Sequence, residues 1–348
     1  KALTVVIVDT AGNISLASAA STITLDKTVP TFASVALGAD EYINADEASS
    51  GVNIVITTTG VENGQQVSCT ITDAATGSVG PVTATTTDNQ VTIASGALTT
   101  LANGLLTVTC NVSDVAGNAA TPGTDTATKD VVKPVVASVA VNDSLLTEVD
   151  AGVDKFAAII TFTDTNPMDA TAPTVVFDPT LGTTLTNCAG VWTTDHIYTY
   201  TCDVADDNIE ETNVDIQVSA AKDVAGNVMV ADTTSGADKF SVDTKAPDAP
   251  TIGAFAPVGG TETPSYINGT NTGFTQKFTS PLTNFAGTAH LYVGGVEFAT
   301  PITIAVGAGN TEYTLTGNAA SITQLGADGA KALTVVIVDT AGNISLAS

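Results

Sequence analysis

The sequence predicts an all-β chain in which antiparallel β-sandwich domains follow one another end to end as a rod. Three observations lead to this prediction: short segments in which apolar and polar residues alternate, four copies of the motif D-x-A-G-N at domain-sized spacing, and a D-x-x-x-P motif at each expected domain junction. No segment shows a convincing helical period. The expected structure therefore consists of strands and turns.

Repetition organises the chain. About one domain length separates the copies of D-x-A-G-N, which begin at Asp9, Asp114, Asp223 and Asp339. Residues 331–348 also repeat residues 1–18 letter for letter. This identity after 330 residues predicts a longer repeat made of three different domains. We expect the natural chain to continue beyond both ends.

Composition limits the possible partners. The chain has 348 residues, which suits two to three domains, and 43% of them are apolar, which argues against disorder. Its net charge of -26 comes from 36 acidic residues and ten lysines, with no arginine. Such a chain repels nucleic acid and anionic lipid and attracts cations. No apolar run is long enough to span a membrane.

The expected domain boundaries follow from the strand pattern. The chain is expected to open with the closing hairpin of a preceding domain, residues 1–29, with strands at 3–8 and 14–25. Three domains should follow, at residues 30–131, 132–246 and 247–348. We expect the last strand of the third domain to be cut short at Ser348.

Each domain should contain several short strands. Seven within about a hundred residues are typical of a sandwich. In the first domain they are predicted at 31–37, 52–59, 66–72, 82–86, 91–94, 105–113 and 124–129. In the second, the clear strands are at 156–163, 174–177, 198–204 and 214–219. The third is rich in Gly, Asn and Pro at first, and its strands are predicted at 290–293, 302–306, 312–316 and 333–338.

The domain junctions share the motif D-x-x-x-P. At the expected junctions it stands at Asp26 to Pro30, Asp130 to Pro134 and Asp243 to Pro247. Proline fixes its own φ and favours an extended residue before it. We therefore expect short, stiff connections.

Together these motifs resemble the bacterial Ig-like repeats of large secreted adhesins and other surface proteins. The acidic stretch 40–48, DEYINADEA, is also similar to the first loop of such repeats. The resemblance implies tandem Ig-like antiparallel sandwiches, an extracellular position on the bacterial cell surface and a spacer or adhesive role. In many members it also implies calcium at the domain joints. The repetition within this chain itself predicts neighbouring copies of the repeat as partners.

Two roles are open for the aspartate of D-x-A-G-N. The glycine and asparagine suit positive φ, and the aspartate can accept backbone N–H bonds, so its role can be purely structural. Alternatively, strand parity in an Ig-like order places this turn at the entry pole of its domain. The first loop would lie at the exit pole, so that the acids of two consecutive domains converge on a joint.

Carboxylate and amide oxygens in such numbers suit Ca²⁺, and no His/Cys cluster suits zinc. At the joint between the first and second domains, the predicted ligands are Asp40, Glu41, Asp46, Glu47, Asp130, Asp223 and Asn227. The preceding joint would use Asp26, Asp114 and Asn118. The following joint would use Asp243, Asp339 and Asn343, with Glu148, Asp150 or Asp154 as further candidates.

The four cysteines occur as two pairs. Alternation points Cys69 and Cys110 into one core, where they form either a disulfide or two buried thiols, and we expect the disulfide. Cys188 and Cys202 flank a predicted hairpin that contains Trp192, and a disulfide there would join its two strands.

The function predicted from these features is mechanical, and no catalytic motif is present. The first hypothesis is a spacer repeat of an adhesin stalk, stiffened by calcium and disulfides. The second is a subunit of an extracellular filament or sheath that assembles by lateral or strand-donating contacts. The third is glycan binding through Trp192, His196 and two tyrosines. Tyr198 and Tyr200 share the face of Cys202, which favours core packing over a glycan platform.

Overall fold

The structure, a computed structural model, describes residues 1–283, 286–307 and 309–348, and it confirms the all-β class. Its contacts divide the chain into two compact units. The first unit comprises Lys1–Pro134, Asp164–Asp169 and Lys222–Val228. The second comprises Val135–Thr163, Ala170–Ala221 and Met229–Ser348. In the described part of the chain, no helix is long and apolar enough to cross a membrane.

The first unit opens with the predicted hairpin, which is less regular than expected. Strands β1 (Ala2–Leu3) and β2 (Ser21–Thr22) pair in antiparallel fashion, and Val8 bridges Ile14 around the turn. The long strands predicted at 3–8 and 14–25 were therefore wrong in extent. Every residue of 1–29 is exposed, so no packing partner holds this segment in a continuous ladder.

A two-sheet sandwich, here the first sandwich, forms the part of this unit between residues 31 and 129. Its strands are β3 (Thr31–Leu37), β4 (Tyr42–Ile43), β5 (Asn53–Thr59), β6 (Gln66–Asp73), β7 (Ser78–Thr85), β8 (Gln90–Ala94), β9 (Gly104–Asn111) and β10 (Gly123–Lys129). One sheet has the order β3-β5-β8 and the other β4-β10-β9-β6-β7. All seven predicted strands are confirmed, and the short strand β4 was missed.

Alternation fills the core between these two sheets. Ile54 and Ile56 of β5 face Val67 and Val108 of the other sheet in one apolar cluster. A short helix, α1 (Ala45–Ser50), lies in the first loop and was not predicted. Its six residues are too few to show a period, although Asn44 begins it with a capping box.

The second unit contains two sandwiches. The second sandwich is built from β11 (Val135–Val141), β12 (Leu145–Thr147), β13 (Gly152–Thr163), β14 (Thr174–Asp178), β15 (Leu185–Trp192), β16 (Ile197–Val204), β17 (Glu210–Ser219) and β18 (Phe240–Asp243), with a 3₁₀ turn at Glu148–Asp150. Its sheets have the orders β11-β13-β16-β15 and β12-β18-β17-β14. Phe156 packs between Phe177 and Phe240 at ring distances of 5.7 and 4.7 Å, which joins the sheets.

The third sandwich consists of β19 (Thr251–Val258), β20 (Gly273–Ser280), β21 (Gly287–Val293), β22 (Val296–Glu297), β23 (Thr303–Val306), β24 (Thr311–Asn318) and β25 (Leu333–Asp339), with helix α2 (Ala319–Gln324) after β24. Strands β19, β20 and β24 form one sheet. In the other, β21 pairs with β22, β23 and β25. Phe274, Phe278 and Leu291 lie in its core. The four predicted strands are confirmed, whereas β19 and β20 were not located from the sequence.

Both predicted disulfides are present. Cys69 of β6 lies directly opposite Cys110 of β9, with their Cα atoms 4.1 Å apart. Cys188 of β15 is bonded to Cys202 of the neighbouring strand β16, as expected for a bridge between the strands of one hairpin. Each disulfide therefore joins adjacent strands of one sheet.

Candidate metal centre

The motif D-x-A-G-N folds as a turn closed by its own aspartate and asparagine. In the copy at 223–227, the backbone N–H of Asn227 donates to Asp223 Oδ1 at 2.9 Å, and its side-chain Nδ2 donates to Asp223 Oδ2 at 2.8 Å. Gly226 has a φ of 92°, in the region that favours glycine. The same pair of bonds closes the other three copies. The expected structural role of the aspartate is thus confirmed.

Asp130 begins the junction that follows β10, and it is held from both sides within the first unit. Its Oδ1 accepts from the Val132 N–H at 2.9 Å, which shapes the start of the junction. Its backbone carbonyl accepts from Asn227 Nδ2 at 3.0 Å, and Asn166 Nδ2 donates to its Oδ2. The junction aspartate is therefore fixed between the D-x-A-G-N turn and the loop that contains Asn166.

Three carboxylates meet at this point: Asp130, Asp164 and Asp223. One oxygen of each lies within 4.8 Å of the other two. Asp130 and Asp223 are both 1% exposed, and Asp164 Oδ2 is buried without a hydrogen-bond partner. Across the described residues, no ion pair involves any of the three. The cluster therefore concentrates negative charge that no basic side chain neutralises.

The electrostatics of Asp164 reflect this crowding. Burial raises its pKa above the ordinary value, and the charges of Asp130 and Asp223 raise it further. The N–H of Asn166, which donates to Asp164 Oδ1 at 2.9 Å, opposes these effects. A cation bound among the three oxygens would remove the repulsion and satisfy the free Oδ2. The donor set, all oxygen, suits a hard cation.

Asp164 was absent from the ligands predicted from the sequence. It follows strand β13 in the stretch Asp164-Thr165-Asn166, which brings three oxygen-bearing side chains to the end of a strand. That pattern was the sequence signal from which Asp164 could have been predicted as a ligand. Its significance depends on the loop 164–169 lying against Asp130, a contact between residues distant in sequence.

The acids of the first loop lie outside this cluster. Glu47 accepts from the Asn44 N–H at 3.0 Å in the capping box of α1, and Asp40 accepts from the Tyr42 N–H at 2.9 Å. Glu41 and Asp46 are exposed and take no part in the cluster. The loop still contributes a contact, because the N–H of Ala45 donates to Asn227 Oδ1 at 2.9 Å.

A related arrangement occurs in the second unit around Asp243, Asp339 and Asn343. The side-chain Nδ2 of Asn343 donates to the Asp243 carbonyl at 3.0 Å and to Asp339 Oδ2 at 3.1 Å. Its Oδ1 is buried without a partner. Asp243 and Asp339 line a pocket of about 40 Å³, together with Glu210 and Lys245. The structure thus brings together the three residues predicted for this joint.

Asp243 is the most perturbed carboxyl here. Burial, with the charges of Asp339 and Glu210, raises its pKa to about 6, while the N–H of Lys245 opposes the shift. Among the further candidates, Asp150 is already used, because its Oδ2 accepts from the N–H and hydroxyl of Thr147. Glu148 and Asp154 are exposed.

At the preceding joint, no hydrogen bond between described residues connects Asp26 to Asp114 or Asn118. Asp26 is exposed and accepts from the Thr28 N–H at 2.9 Å. Asp114 is buried in its own turn, where hydrogen bonds from Asn118 lower its pKa. A metal at this set stays a prediction.

Trp192 packs against other aromatic rings. Its ring lies 5.1 Å from that of Tyr198 and 5.4 Å from that of Phe162, and Nε1 donates to the Thr171 carbonyl at 3.4 Å. Tyr198 is 3% exposed, as the core assignment predicted. The rings therefore serve the sandwich core, and they offer no open platform for a sugar.

No protein-family model matches the sequence, and no curated protein is significantly similar to it. Similar solved structures include a Ca²⁺-stabilised adhesin with which an Antarctic bacterium binds ice, at 22% identity and a TM-score of 0.44 over 99% of this chain and 79% of that one. Another is from a 1.5-MDa bacterial ice-binding adhesin, at 18% identity and a TM-score of 0.40 over 90% and 93% of the chains. A tetra-tandem repeat from the extending region of a large adhesion protein is 21% identical, with a TM-score of 0.30 over 91% and 71%.

All three are adhesins, the class that the sequence motifs resemble. At these TM-scores and identities, the likeness does not extend to function. The functional proposal therefore rests on the residues of this chain.

Proposed function

We propose that the chain is a structural spacer segment of a long extracellular protein on the bacterial cell surface, with neighbouring copies of the repeat as its partners. Its junctions are stiffened by Ca²⁺ and its sandwiches by disulfides. The observation that carries the proposal is the cluster of Asp130, Asp164 and Asp223. One oxygen of each of these three carboxylates, which come from separate chain segments, lies within 4.8 Å of the other two, and none of the three forms an ion pair with a described residue.

The donors of this cluster fit calcium. Ca²⁺ takes about six to eight oxygen ligands in flexible geometry, whereas Mg²⁺ requires a compact octahedron. Asp130, Asp164 and Asp223 supply three to six oxygens. Rotation of the Asn166 amide would present its oxygen beside Asp130 Oδ2, and water would complete the shell. Asn227 positions the set, because its side chain binds both Asp223 and the Asp130 carbonyl.

Calcium would act here as a joint. The cation would connect the residue that begins the junction, Asp130, with the loops 164–169 and 222–228. Without it, the like charges push these segments apart. At a calcium concentration ten times the dissociation constant, each site gains about 1.4 kcal/mol. Repeated along an array of many joints, this free energy favours a stiff chain over a bendable one.

We extend the proposal to the set of Asp243, Asp339 and Asn343. Asn343 Oδ1 is a buried oxygen without a partner, and the two carboxylates adjoin the same small pocket. Lys245 lies 4.0 Å from Glu210, so this set carries a nearby positive charge that would weaken cation binding. We therefore expect lower calcium affinity here than at the cluster with Asp164.

Calcium titration of EDTA-treated protein by isothermal calorimetry, with X-ray scattering of the same samples, tests the proposal. We expect binding at about 0.1 to 1 mM, typical of extracellular modules, and a larger maximum dimension with calcium. Mg²⁺ at equal concentration serves as the control and should bind more weakly. Equal dimensions in EDTA and calcium would contradict the role of the metal as a stiffener.

A second candidate function is a subunit of an extracellular filament or sheath. One observation favours it. The outer face of one sheet in the second sandwich carries no charge over several rows of residues, although the chain as a whole is strongly acidic. Sedimentation of the intact chain over a range of concentrations tests this candidate.

A further inference from the structure

The sheet β11-β13-β16-β15 has an outer face without charged residues at its centre. Cross-strand pairing places Ala140 opposite Ile159, Ile159 opposite Thr199, and Thr199 opposite Val191. The next row contains Ala157, Thr201 and Ala189. We define the neutral face by six residues of these rows: Ala140, Ala157, Ile159, Ala189, Val191 and Thr199.

This face is exposed and partly apolar. Val191 is 62% exposed and Ile159 is 45% exposed, because their side chains point away from the core that Tyr198 and Phe156 fill. The nearest charged residues on the same side, Lys155 and Asp203, lie one row beyond it. Edge strand β15 also lacks charged residues, and charged side chains are a common protection of exposed strands against pairing.

A charge-free face is informative in this chain because the net charge is -26. Two copies repel each other wherever their carboxylates approach, so self-contact is possible only where carboxylates are missing. The neutral face meets that condition. A basic partner, by contrast, would be recognised by the acidic surfaces and would gain nothing here.

The same row recurs in the other sandwiches at equivalent positions. Register places Ala36, Val55 and Thr92 side by side on strands β3, β5 and β8. It places Ala256, Thr275 and Thr316 side by side on β19, β20 and β24. Each sandwich therefore presents an alanine, a β-branched residue and a threonine in one row. A second copy of the chain carries the same three rows.

We propose that the neutral face is a lateral contact surface for a second copy of this chain. The proposal rests on the filament function above and does not depend on calcium at the joints. Four strands about 4.8 Å apart and five residues of about 3.4 Å each span roughly 300 Å². A standard interface uses about 800 Å² per partner, so a single face supports only a weak contact.

The test is sedimentation velocity of the intact chain between about 1 µM and 1 mM, with parallel samples in EDTA and in calcium. We expect the mass to rise above that of one 34.8 kDa chain at the upper concentrations. Raising the salt from about 0.05 to 0.5 M should strengthen association, because the contact is uncharged and salt screens the repulsion between acidic chains. Calcium binding is measured separately, so that failure of association and failure of the calcium joint are distinguished.

Variants locate the contact. Val191→Lys should weaken association at least tenfold. The matched control Val176→Lys, on β14 of the opposite sheet and 44% exposed in the parent residue, should leave it unchanged. Hydrogen exchange of the parent chain gives a readout that needs no variant, because amides of β15 should exchange more slowly as concentration rises.

Three results would overturn the proposal. One is a single-chain mass at every concentration and salt. Another is association that V191K and V176K weaken equally, or that leaves exchange in β15 unchanged. The third is a chain that stays monomeric and adsorbs to cellulose or chitin beads through Val191. This result would assign the face to a hydroxyl-rich polymer.

Discussion

The substitution Asp164→Asn separates the two consequences of the carboxylate cluster. It preserves the size of the side chain and one oxygen, but it removes a negative charge that Asp130 and Asp223 surround. In metal-free protein the variant should be more stable than the parent. In saturating calcium this advantage should shrink, because one of three charged ligands is missing. The size of the effect therefore depends on the metal.

The structure sets the magnitudes. Two unit charges 4.8 Å apart at an effective dielectric constant of about 20 repel by about 3.5 kcal/mol. The parent avoids part of this cost by protonation, since the pKa of Asp164 is raised, so we expect a gain of about 1 to 3 kcal/mol in EDTA. Calcium at a hundred times its dissociation constant stabilises the parent by about 2.7 kcal/mol. A tenfold loss of affinity would remove about 1.4 kcal/mol of that.

Differential scanning calorimetry of the intact chain in EDTA and in calcium measures both effects. For a domain of roughly 100 residues, 2.7 kcal/mol corresponds to about 13 °C in the transition that contains the cluster. Asp46→Asn is the matched control, because Asp46 was a predicted ligand and is exposed outside the cluster. Its calcium shift should equal that of the parent.

Two outcomes would refute this reasoning. If Asp164→Asn lowers the transition temperature equally in EDTA and in calcium, the cluster has no electrostatic cost that a cation relieves. If Asp46→Asn reduces the calcium shift as much as Asp164→Asn does, the metal lies at the first loop and not at the cluster.

Three further predictions address the rest of the chain. Because the pKa of Asp243 is raised to about 6, folding favours its protonated form. In EDTA, this stabilisation is complete below about pH 4 and is lost as the pH rises through 6. Asp243→Asn should flatten this dependence in melting curves from pH 4.5 to 7.5. Replacing both cysteines of a pair by alanine should lower the free energy of unfolding by about 4 kcal/mol for the disulfide of β6 and β9 and by about 3 kcal/mol for that of β15 and β16. The difference follows from their sequence separations of 41 and 14. Calorimetry that shows the reverse order would contradict the loop-entropy account. Gly236→Ala should destabilise the second sandwich by more than about 2 kcal/mol, since an added Cβ would overlap the Ile216 carbonyl. The control Gly269→Ala, where the added Cβ meets open space, should melt like the parent.

Local sequence patterns were sufficient wherever one element decides its own structure. Alternation located all seven predicted strands of the first sandwich, and the turn chemistry of D-x-A-G-N was correct because its hydrogen bonds lie within five residues. The cysteine pairs could also be predicted from the sequence, since alternation determines the side of the sheet that each side chain faces. Elements without enough length or period were missed, including β4 and α1.

The candidate site shows where this local information ends. The sequence alone determined that the chain is all-β, acidic and repetitive, and that Asp130, Asp223 and Asn227 belong to a junction and a turn. Only the tertiary structure decided that Asp164 joins them and that Glu47 caps a helix instead. The physical reason is that a metal site depends on oxygens converging from residues more than 30 positions apart in the chain, and folding sets that convergence.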